Sequence, residues 1–277
     1  MRGCRREPPD TGGGTIIDGD TKDLDGLRAR LRAGEPVLGT MVFEFNTPGI
    51  QRILGAAGSD FVIVDLEHTG WSLDAVRPLL AAGPGRVSPI VRTQGSQRHL
   101  ISPALDAGAV GVMVPMVEDA PQARGVVEAA RFPPAGGRGF GLVYPDQVAG
   151  GIEPALAAIE AETVVILQIE SAAAVDRVDE IGATPGVDVL WVGEFDLSSS
   201  MGIAGSIDDP RVVAAEERVV AACRAAGLAA GVLVADVDAA RSKLELGFTM
   251  IAVGTDIGLY DGAVRGALEA LRPGRAG

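Results

Sequence analysis

Cysteine and histidine are scarce in this sequence of 277 residues, which contains 2 of each. Cys4 lies in a polar N-terminal stretch, and Cys223 lies in an alanine-rich segment with a helical pattern. Two cysteines so placed exclude a framework of disulfides, and this usage fits a protein of the reducing cytoplasm. An imidazole for catalysis is available at only two positions, His68 and His99.

Positive charge is also in short supply. The chain has 24 Lys and Arg residues against 37 Asp and Glu residues, which gives a net charge of −13 at pH 7. Nucleic acids and anionic membranes need a basic surface, so we expect neither as a partner. No apolar run is long enough to span a bilayer, and no apolar region follows the N-terminal Arg pair as a secretory or twin-Arg signal would require.

Aromatic residues make up only 4% of the sequence, although 47% of it is hydrophobic. The core must therefore consist of Val, Ile, Leu and Ala, which is typical of buried parallel strands and their covering helices. The length allows one large α/β domain or two small ones. Residues 1–22, which are rich in Gly, Pro and charge, are predicted to be a disordered tail, and residues 23–277 a single domain.

Short apolar runs alternate with amphipathic segments along the rest of the chain. The runs predict eight strands, at Val37–Phe43, Phe61–Asp65, Ser88–Arg92, Gly111–Pro115, Thr163–Ile169, Val187–Val192, Ala229–Val234 and Met250–Val253. The segments between them have helical spacing, and Gly follows many of them, as at helix ends. This alternation predicts a (β/α)8 TIM barrel. An open doubly wound sheet is the alternative, which the absence of a G-x-G-x-x-G turn after the first strand disfavours.

One connection in this pattern is long, from residue 131 to residue 161. Loops of this length in compact domains are usually functional or disordered. The Gly and Pro content of its first part, FPPAGGRGFGLVYP, favours a shaped loop over the mouth of the barrel. An inert surface insertion is the alternative.

Two of the predicted strands are each followed by a carboxylate. Glu170 closes the run TVVILQIE, and Asp196 follows the run VDVLWVGEF. Neighbouring strands of a parallel sheet end side by side, so these carboxylates, with Gln168 close by, could hold a hard divalent cation through oxygen ligands. The alternative is that they cap the helices that follow by accepting bonds from backbone N–H groups.

Other polar residues stand at the predicted strand ends. They are Glu44, Asp65, Glu67, His68, Arg92, Thr255 and Asp256. This edge carries the active site in TIM barrels, so the mixture of groups favours the metal-ligand interpretation of Glu170 and Asp196. An imidazole at His68 suits general acid–base catalysis, and Arg92 could stabilise an oxyanion. The alternatives are a solvent-exposed loop histidine and a salt bridge between Arg92 and the surrounding acids.

The remaining polar features have an ordinary interpretation from the residues alone. His99 lies on a helical segment and is expected to be structural, and Asp106 near a helix end is expected to be solvated. The Glu–Arg runs within Ala215–Arg224 and Arg241–Glu245 are expected to form solvated helix faces.

The sequence resembles the HpcH/HpaI family, the metal-dependent aldolases of the phosphoenolpyruvate/pyruvate barrel superfamily. The similar segments, between about Gly39 and Asp256, are FVIVDLEH, PIVR, ALDAGAVGVMVPMV, RFPPAGGRGFG, LQIES and VDVLWVGEFDLSSSMG. A short piece such as LDAGA is a weak signal, but the whole set in this order is specific.

The resemblance implies a reaction, the reversible aldol cleavage of a 4-hydroxy-2-oxo acid to pyruvate and an aldehyde through a metal-bound pyruvate enolate. It implies Glu170 and Asp196 as ligands of a divalent metal ion, for which Mg²⁺ or Mn²⁺ fit best and Co²⁺ or Zn²⁺ are possible substitutes. It also implies a homo-oligomer, a hexamer of barrels.

The resemblance further assigns roles to residues around the metal. Arg92 corresponds to the arginine that stabilises the enolate and His68 to the base. Asp106 corresponds to the acid paired with that base, which replaces the solvated interpretation. Gln168 and Asp65 correspond to positions that contact the substrate or support those that do.

Two departures from the family pattern lie beside the predicted site. Glu194 and Phe195 stand where the family commonly has Pro and another residue, and Thr-Gly-Trp follows His68. If the rings of Phe195, Trp71, Phe43 and Phe45 line the mouth, they predict an apolar or aromatic acceptor aldehyde. The alternative is that they pack into the helix layer.

These departures leave two other functions open. One is a condensing or decarboxylating enzyme that acts on oxaloacetate or an acyl-CoA ester. The other is a non-catalytic homologue that binds an oxo acid, against which the complete set of catalytic residues argues.

Overall fold

The computed structural model describes residues 26–82, 87–142 and 145–272, so the tail predicted at residues 1–22 lies outside the described residues. Parallel strands close into a barrel in the order of the sequence, which confirms the predicted TIM barrel. They are β1 (Val37–Val42), β2 (Phe61–Asp65), β3 (Ser88–Arg92), β4 (Gly111–Val114), β5 (Val164–Ile169), β6 (Val189–Val192), β7 (Ala229–Val234) and β8 (Met250–Thr255). Pairing of β1 with β8 completes the closure.

Side chains along each strand alternate between the inside of the barrel and the helices outside it. In β2, Phe61 and Ile63 belong to the inner cluster of buried apolar residues, and Val62 belongs to the outer one. Because the alternation has a period of two residues, the next inward position is Asp65.

The inward positions become polar where the strands end. Ile90 in β3 is followed two residues later by Arg92, and Ile166 in β5 is followed by Gln168 and then by Glu170. The fixed period of the strands therefore directs a cation, an amide and a carboxylate into one end of the barrel, its mouth.

Helices surround the barrel and close its foot, the end where the strands begin. In the described residues they are α1 (Leu27–Arg32), α2 (Gly49–Ala56), α3 (Leu73–Leu80), α4 (Arg98–Asp106), α5 (Ala120–Ala130), α6 (Ile152–Glu162), α7 (Ala172–Asp176), α8 (Val178–Gly182), α9 (Glu194–Ser200), α10 (Pro210–Ala226), α11 (Val237–Leu246) and α12 (Asp256–Leu271). The sequence pattern missed α6, which contributes no buried residue and so lacks an apolar stripe. It also missed α9, which is short and rich in serine.

The described residues of the long connection lie at the foot of the barrel. A helix of a TIM barrel runs from the mouth back to the foot, so the chain leaves α5 at the foot and enters β5 there. Consistent with this, α6 packs against α1. The prediction that residues 131–161 cover the mouth of their own barrel was therefore wrong.

Buried ion pairs hold the foot together. Leu27 and Leu31 of α1 join the inner apolar cluster, and Arg28 Nε lies 2.7 Å from Asp188 Oδ1. The other oxygen of Asp188 lies 2.6 Å from Nη2 of Arg131, and both of these side chains are fully buried. Removing one partner from such a cluster leaves a buried charge unpaired, so the cluster fixes how α1 and α5 meet the strands.

The last helix packs on the barrel only near its start. Asp256 is the buried residue of α12, whereas several large apolar side chains farther along the helix are exposed. They are Ile257, Leu259, Tyr260, Val264, Leu268 and Leu271. In the described part of the chain, no helix is both long and apolar enough to cross a membrane.

Candidate active site

A cavity of about 220 Å³ opens at the mouth of the barrel. Most of the residues that the sequence predicted for the site contribute to its wall, namely His68, Arg92, Gln168, Glu170, Phe195 and Asp196. They come from the ends of β2, β3, β5 and β6 or from the turns that follow. The structure therefore brings together residues that are distant in the sequence, since His68 and Asp196 are 128 positions apart.

Asp65 organises the turn after β2 from a fully buried position. Its carboxylate accepts hydrogen bonds from the backbone N–H of Glu67 (3.1 Å) and of His68 (2.9 Å). It also accepts a bond of 2.5 Å from Nε of Arg92. One carboxylate thus fixes both the backbone that carries the imidazole and the guanidinium of the next strand.

Arg92 is held so that its orientation is defined. Its side chain is only 9% exposed, and its guanidinium carbon lies 5.6 Å from the centre of the Phe43 ring. The bond to Asp65 uses Nε, so the terminal nitrogens take no part in it. A planar guanidinium fixed in this way can bind a carboxylate or an oxyanion with directed N–H groups.

Glu67 is a member of the site to which the sequence analysis assigned no role. Its Oε2 lies 3.4 Å from Arg92 Nε and 3.6 Å from His68 Nε2. Burial raises the pKa of Glu67, although electrostatic interactions with Arg92 and His68 oppose the rise. Its position in the run DLEH, between two predicted site residues, was the signal available in the sequence.

Glu170 is almost completely buried, with 3% of its surface exposed. Its Oε1 accepts a hydrogen bond of 2.8 Å from the backbone N–H of Met116, and its Oε2 accepts one of 3.3 Å from Gln168. Burial raises the pKa of Glu170 to about 7, although the bond from Met116 opposes the rise. Glu67 and Asp196 add to it by charge repulsion.

The backbone around Glu170 is adapted to it on both sides. Met116 has φ of +53°, the one such non-glycine residue in the part of the chain that is described. A side chain in this conformation is strained, and here it points an N–H at the carboxylate. On the other side, a Cβ added to Gly193 would lie 2.6 Å from Glu170 Oε2, so this approach requires glycine.

The structure decides between capping and other roles for the two carboxylates. Ser171 caps α7 by accepting from the N–H of Ala174, and α9 begins after Gly193 without a side-chain cap. Glu170 instead accepts a hydrogen bond from the backbone N–H of Met116, in the connection that follows β4. Asp196 lies exposed within the first turn of α9. The capping alternative was therefore wrong for both.

The donor atoms at the mouth fit a divalent cation of the hard type. The carboxylates of Glu170 and Asp196 share the cavity, and Oε1 of Gln168 is buried there without a hydrogen-bond partner. Oε2 of Glu67 is likewise buried without one. No group of three or more His, Cys, Asp or Glu residues in the described ranges is arranged to hold a metal. Two carboxylates with room for water are nevertheless the pattern that Mg²⁺ uses in proteins.

Asp106 does not join this cavity. It ends α4 at the foot of the barrel, where its Oδ1 accepts a bond of 2.6 Å from Arg138 Nη2. His68 lies at the opposite end, after β2. The pairing of Asp106 with His68 that the resemblance implied is therefore not formed within one chain, because the two side chains lie at opposite ends of the barrel.

The comparison with known proteins agrees with this architecture. The sequence profile of the family described as HpcH/HpaI aldolase/citrate lyase matches residues 40–262. The chain belongs to this family. Its members depend on divalent metal ions in general, and carboxylate oxygens are available at the mouth of this barrel.

Relatives of known structure or activity support membership in the HpcH/HpaI family. The 2-keto-3-deoxy-L-rhamnonate aldolase of Escherichia coli K12 is 34% identical over 253 residues, which cover 91% of this chain and 94% of the relative. The crystal structure of an HpcH/HpaI aldolase from Desulfitobacterium hafniense DCB-2 is 30% identical, with a TM-score of 0.81 over 90% of this chain and 98% of the other. A family member from Burkholderia cenocepacia J2315 is 35% identical, with a TM-score of 0.80 over 89% and 98%. The protein is accordingly an aldolase, a carbon–carbon lyase.

Proposed function

We propose that this aldolase cleaves a 4-hydroxy-2-oxo acid to pyruvate and an aldehyde, and catalyses the reverse addition, with a divalent cation held by Glu170 and Asp196. The observation that carries the proposal is the convergence of these carboxylates with Arg92 and His68 in one cavity of about 220 Å³. The relative from Escherichia coli, named for a 2-keto-3-deoxy acid, supports a substrate with a 2-oxo group.

The residues of the chain divide the chemistry among them. When bound, the cation polarises the 2-oxo group of the substrate and stabilises negative charge on its oxygen. Arg92 binds that oxygen or the neighbouring carboxylate, and Gln168 completes the pocket for this half of the substrate. Asp65 positions Arg92 and the turn of His68 through the bonds described above.

His68 moves the proton in this scheme. It accepts the proton of the 4-hydroxyl group while the C3–C4 bond breaks, and the bonding electrons enter the C2–C3 double bond of the enolate. After the aldehyde departs, a proton is delivered to C3 and pyruvate results. A half-exposed imidazole suits this role, since its side chain is 57% exposed at the mouth and can reach a bound substrate.

Cleavage assayed on the purified protein tests the proposed function. After removal of metal with a chelator, a 4-hydroxy-2-oxo acid should release no pyruvate, and Mg²⁺ or Mn²⁺ should restore its release. Release of pyruvate at the full rate after exhaustive chelation would refute the role of the cation.

The pKa of Glu170 predicts how cation binding depends on pH. A proton and a cation compete for this carboxylate, whose pKa is about 7 when no cation is present. Affinity for Mn²⁺ should therefore fall roughly tenfold for each pH unit below neutrality and level off above it, since each bound cation displaces a proton. Calorimetric titration from about pH 5.5 to about pH 8.5 measures this dependence. A constant affinity across that range would contradict it.

The acceptor half of the site should prefer an apolar aldehyde. Phe43 and Phe195 line the cavity, and 64% of the Phe195 surface is exposed. Two other rings that were expected there pack elsewhere. Trp71 lies against the outer core, and Phe45 forms an edge-to-face pair with Tyr260, with ring centres 5.5 Å apart.

A panel of aldehydes with pyruvate as donor checks this preference. Uncharged apolar aldehydes should rank above glyceraldehyde phosphate in kcat/KM, since Phe43 and Phe195 offer apolar surface and no phosphate contact. Phe195→Ala should reduce the preference by about tenfold, the scale of a modest loss of apolar contact. A preference for glyceraldehyde phosphate would refute the assignment of the acceptor pocket.

We also propose a homo-oligomer, for which the resemblance implies a hexamer. Two features support association: the apolar side chains exposed along α12, and the location of Asp106 far from the imidazole of its own chain. A second chain could cover the apolar side chains of α12, and it could supply an Asp106 to the imidazole of the first chain. Light scattering that gives the mass of one chain, 28.4 kDa, would refute the oligomer.

The cellular location that we propose is the cytoplasm. Cys223 is a free thiol buried in α10, and burial raises its pKa to about 12, so it is an unreactive member of the core. A free thiol fits a reducing compartment. The physiological partner in this proposal is a small oxo-acid substrate.

A further inference from the structure

Three side chains form a buried charged cluster beside the mouth of the barrel, which we call the lysine cluster: Lys243, Glu194 and Glu216. Lys243 reaches from α11, and its Nζ lies 2.6 Å from Oε1 of Glu194 and also bonds Oε1 of Glu216 on α10. Lys243 is the only lysine in the part of the chain that the structure describes.

The cluster is a correction to the sequence analysis, which expected solvated helix faces at Glu216 and Lys243. Glu216 is 1% exposed and Glu194 is 7% exposed. Burial raises the pKa of Glu216 to about 8, its bond with Glu194 adds to the rise, and Lys243 opposes it. Burial lowers the pKa of Lys243, but its bonds with the two carboxylates outweigh this and raise the pKa overall. Lys243 is therefore a cation, not a free amine for Schiff-base chemistry.

Glu194 joins this cluster to the candidate metal ligands. It is the first residue of α9 and lines the cavity that holds Glu170 and Asp196. The residue before it, Gly193, is packed against the Glu170 carboxylate, and Asp196 follows two residues later. The turn from residue 193 to residue 196 therefore touches one proposed ligand and carries the other.

This turn has few other restraints at its start. Helix α9 has no side-chain cap, and it is only seven residues long, so it has little stability of its own. Among the described residues, Lys243 of α11 and Glu216 of α10 tie the Glu194 side chain to the neighbouring helix layer, and the bond from Lys243 is the one that carries a positive charge.

We propose that Lys243 is a positioning residue for the cation site, which holds Glu194 and thereby sets the position of Asp196 relative to Glu170. This inference rests on the proposed role of Glu170 and Asp196 as metal ligands. Lys243 itself does not contact the substrate or the reacting atoms in this scheme.

Binding of Mn²⁺ alone to the full chain tests the proposal, because charge and position predict opposite results. Removing a positive charge near a cation site should tighten binding if charge alone matters. If Lys243 positions the ligands, Lys243→Met should instead weaken Mn²⁺ binding, by about tenfold, as losses of such supporting contacts do. Calorimetric titration gives the affinity without any assay of activity.

A second variant guards against a failure of folding. Lys243→Met leaves the buried Glu194 without its partner, whereas the double variant Lys243→Met/Glu194→Gln removes one charge of each sign. The double variant should also bind Mn²⁺ about tenfold more weakly. Glu216→Gln is the matched control, because it alters the same cluster and keeps the Lys243–Glu194 pair, so its affinity should match that of the wild type.

The outcomes separate this inference from the proposed function. The positioning role is supported if both Lys243 variants bind Mn²⁺ more weakly and Glu216→Gln binds it with unchanged affinity. Affinity unchanged or tightened in both variants overturns it, and so does equal weakening in the Glu216→Gln control. If the wild type shows no Mn²⁺ binding that Glu170→Gln abolishes, the proposed metal site fails and the positioning role fails with it.

Discussion

Glu170→Gln is expected to abolish the release of pyruvate and to leave the fold intact. The substitution keeps the volume of the side chain but removes the negative charge that a divalent cation needs from this ligand. Asp196→Asn should have the same effect for the same reason. Steady-state cleavage of a 4-hydroxy-2-oxo acid in saturating Mg²⁺ measures activity, and circular dichroism with thermal unfolding checks the fold.

A carboxylate far from the mouth provides the matched control for these variants. Glu153 is exposed on α6 at the foot of the barrel, so Glu153→Gln should retain the activity of the wild type. Should Glu170→Gln or Asp196→Asn run at the rate of the wild type, that residue is not a ligand of the catalytic cation.

His68→Ala is expected to lower kcat for aldol cleavage by ~10²–10⁴-fold, the usual contribution of a general acid–base residue. Binding of Mn²⁺ and of pyruvate should change little, because the proposed ligands are Glu170 and Asp196 and the proposed anion contact is Arg92. Measuring kcat alongside the Kd of each ligand separates loss of chemistry from loss of binding.

The second histidine of the chain is the natural control. His99 is exposed near the start of α4 and does not line the cavity, so His99→Ala should match the wild type in kcat and in both binding constants. A His68→Ala enzyme with an undiminished kcat would show that another group moves the proton.

The strands, and the polar residues that point into the barrel at their ends, could be predicted from the sequence because both depend on patterns between neighbouring residues. A period of two residues carries Ile63 to Asp65 and Ile90 to Arg92, so buried strand ends that turn polar predict a site at the mouth. The bounds predicted for β2, β3 and β7 agree with those observed.

Features that depend on distant contacts did not follow from sequence. The Glu–Arg spacing on α10 and α11 resembles a solvated surface, yet Glu216 is buried because Lys243 and Glu194 approach it from other elements. The long connection was assigned to the mouth, although its ends are fixed at the foot by the direction of α5. The sequence of one chain does not indicate whether Asp106 contacts His68 of its own chain or of another.

The rival function on oxaloacetate is distinguishable by its substrates. An enzyme that condenses or decarboxylates would consume oxaloacetate as sole substrate faster than it cleaves a 4-hydroxy-2-oxo acid. The proposed function predicts the reverse order in kcat/KM. A non-catalytic homologue would bind pyruvate without turning over either compound.

Exchange of the methyl protons of pyruvate in deuterated water tests the central claim most directly, because it requires the enolate and no aldehyde. Nuclear magnetic resonance should show deuterium entering C3 of pyruvate when the wild type is loaded with Mg²⁺ or Mn²⁺. Exchange should fall to the rate without enzyme after chelation, and also in Glu170→Gln. Exchange that continues unchanged after chelation, or that Glu170→Gln retains in full, would contradict the account.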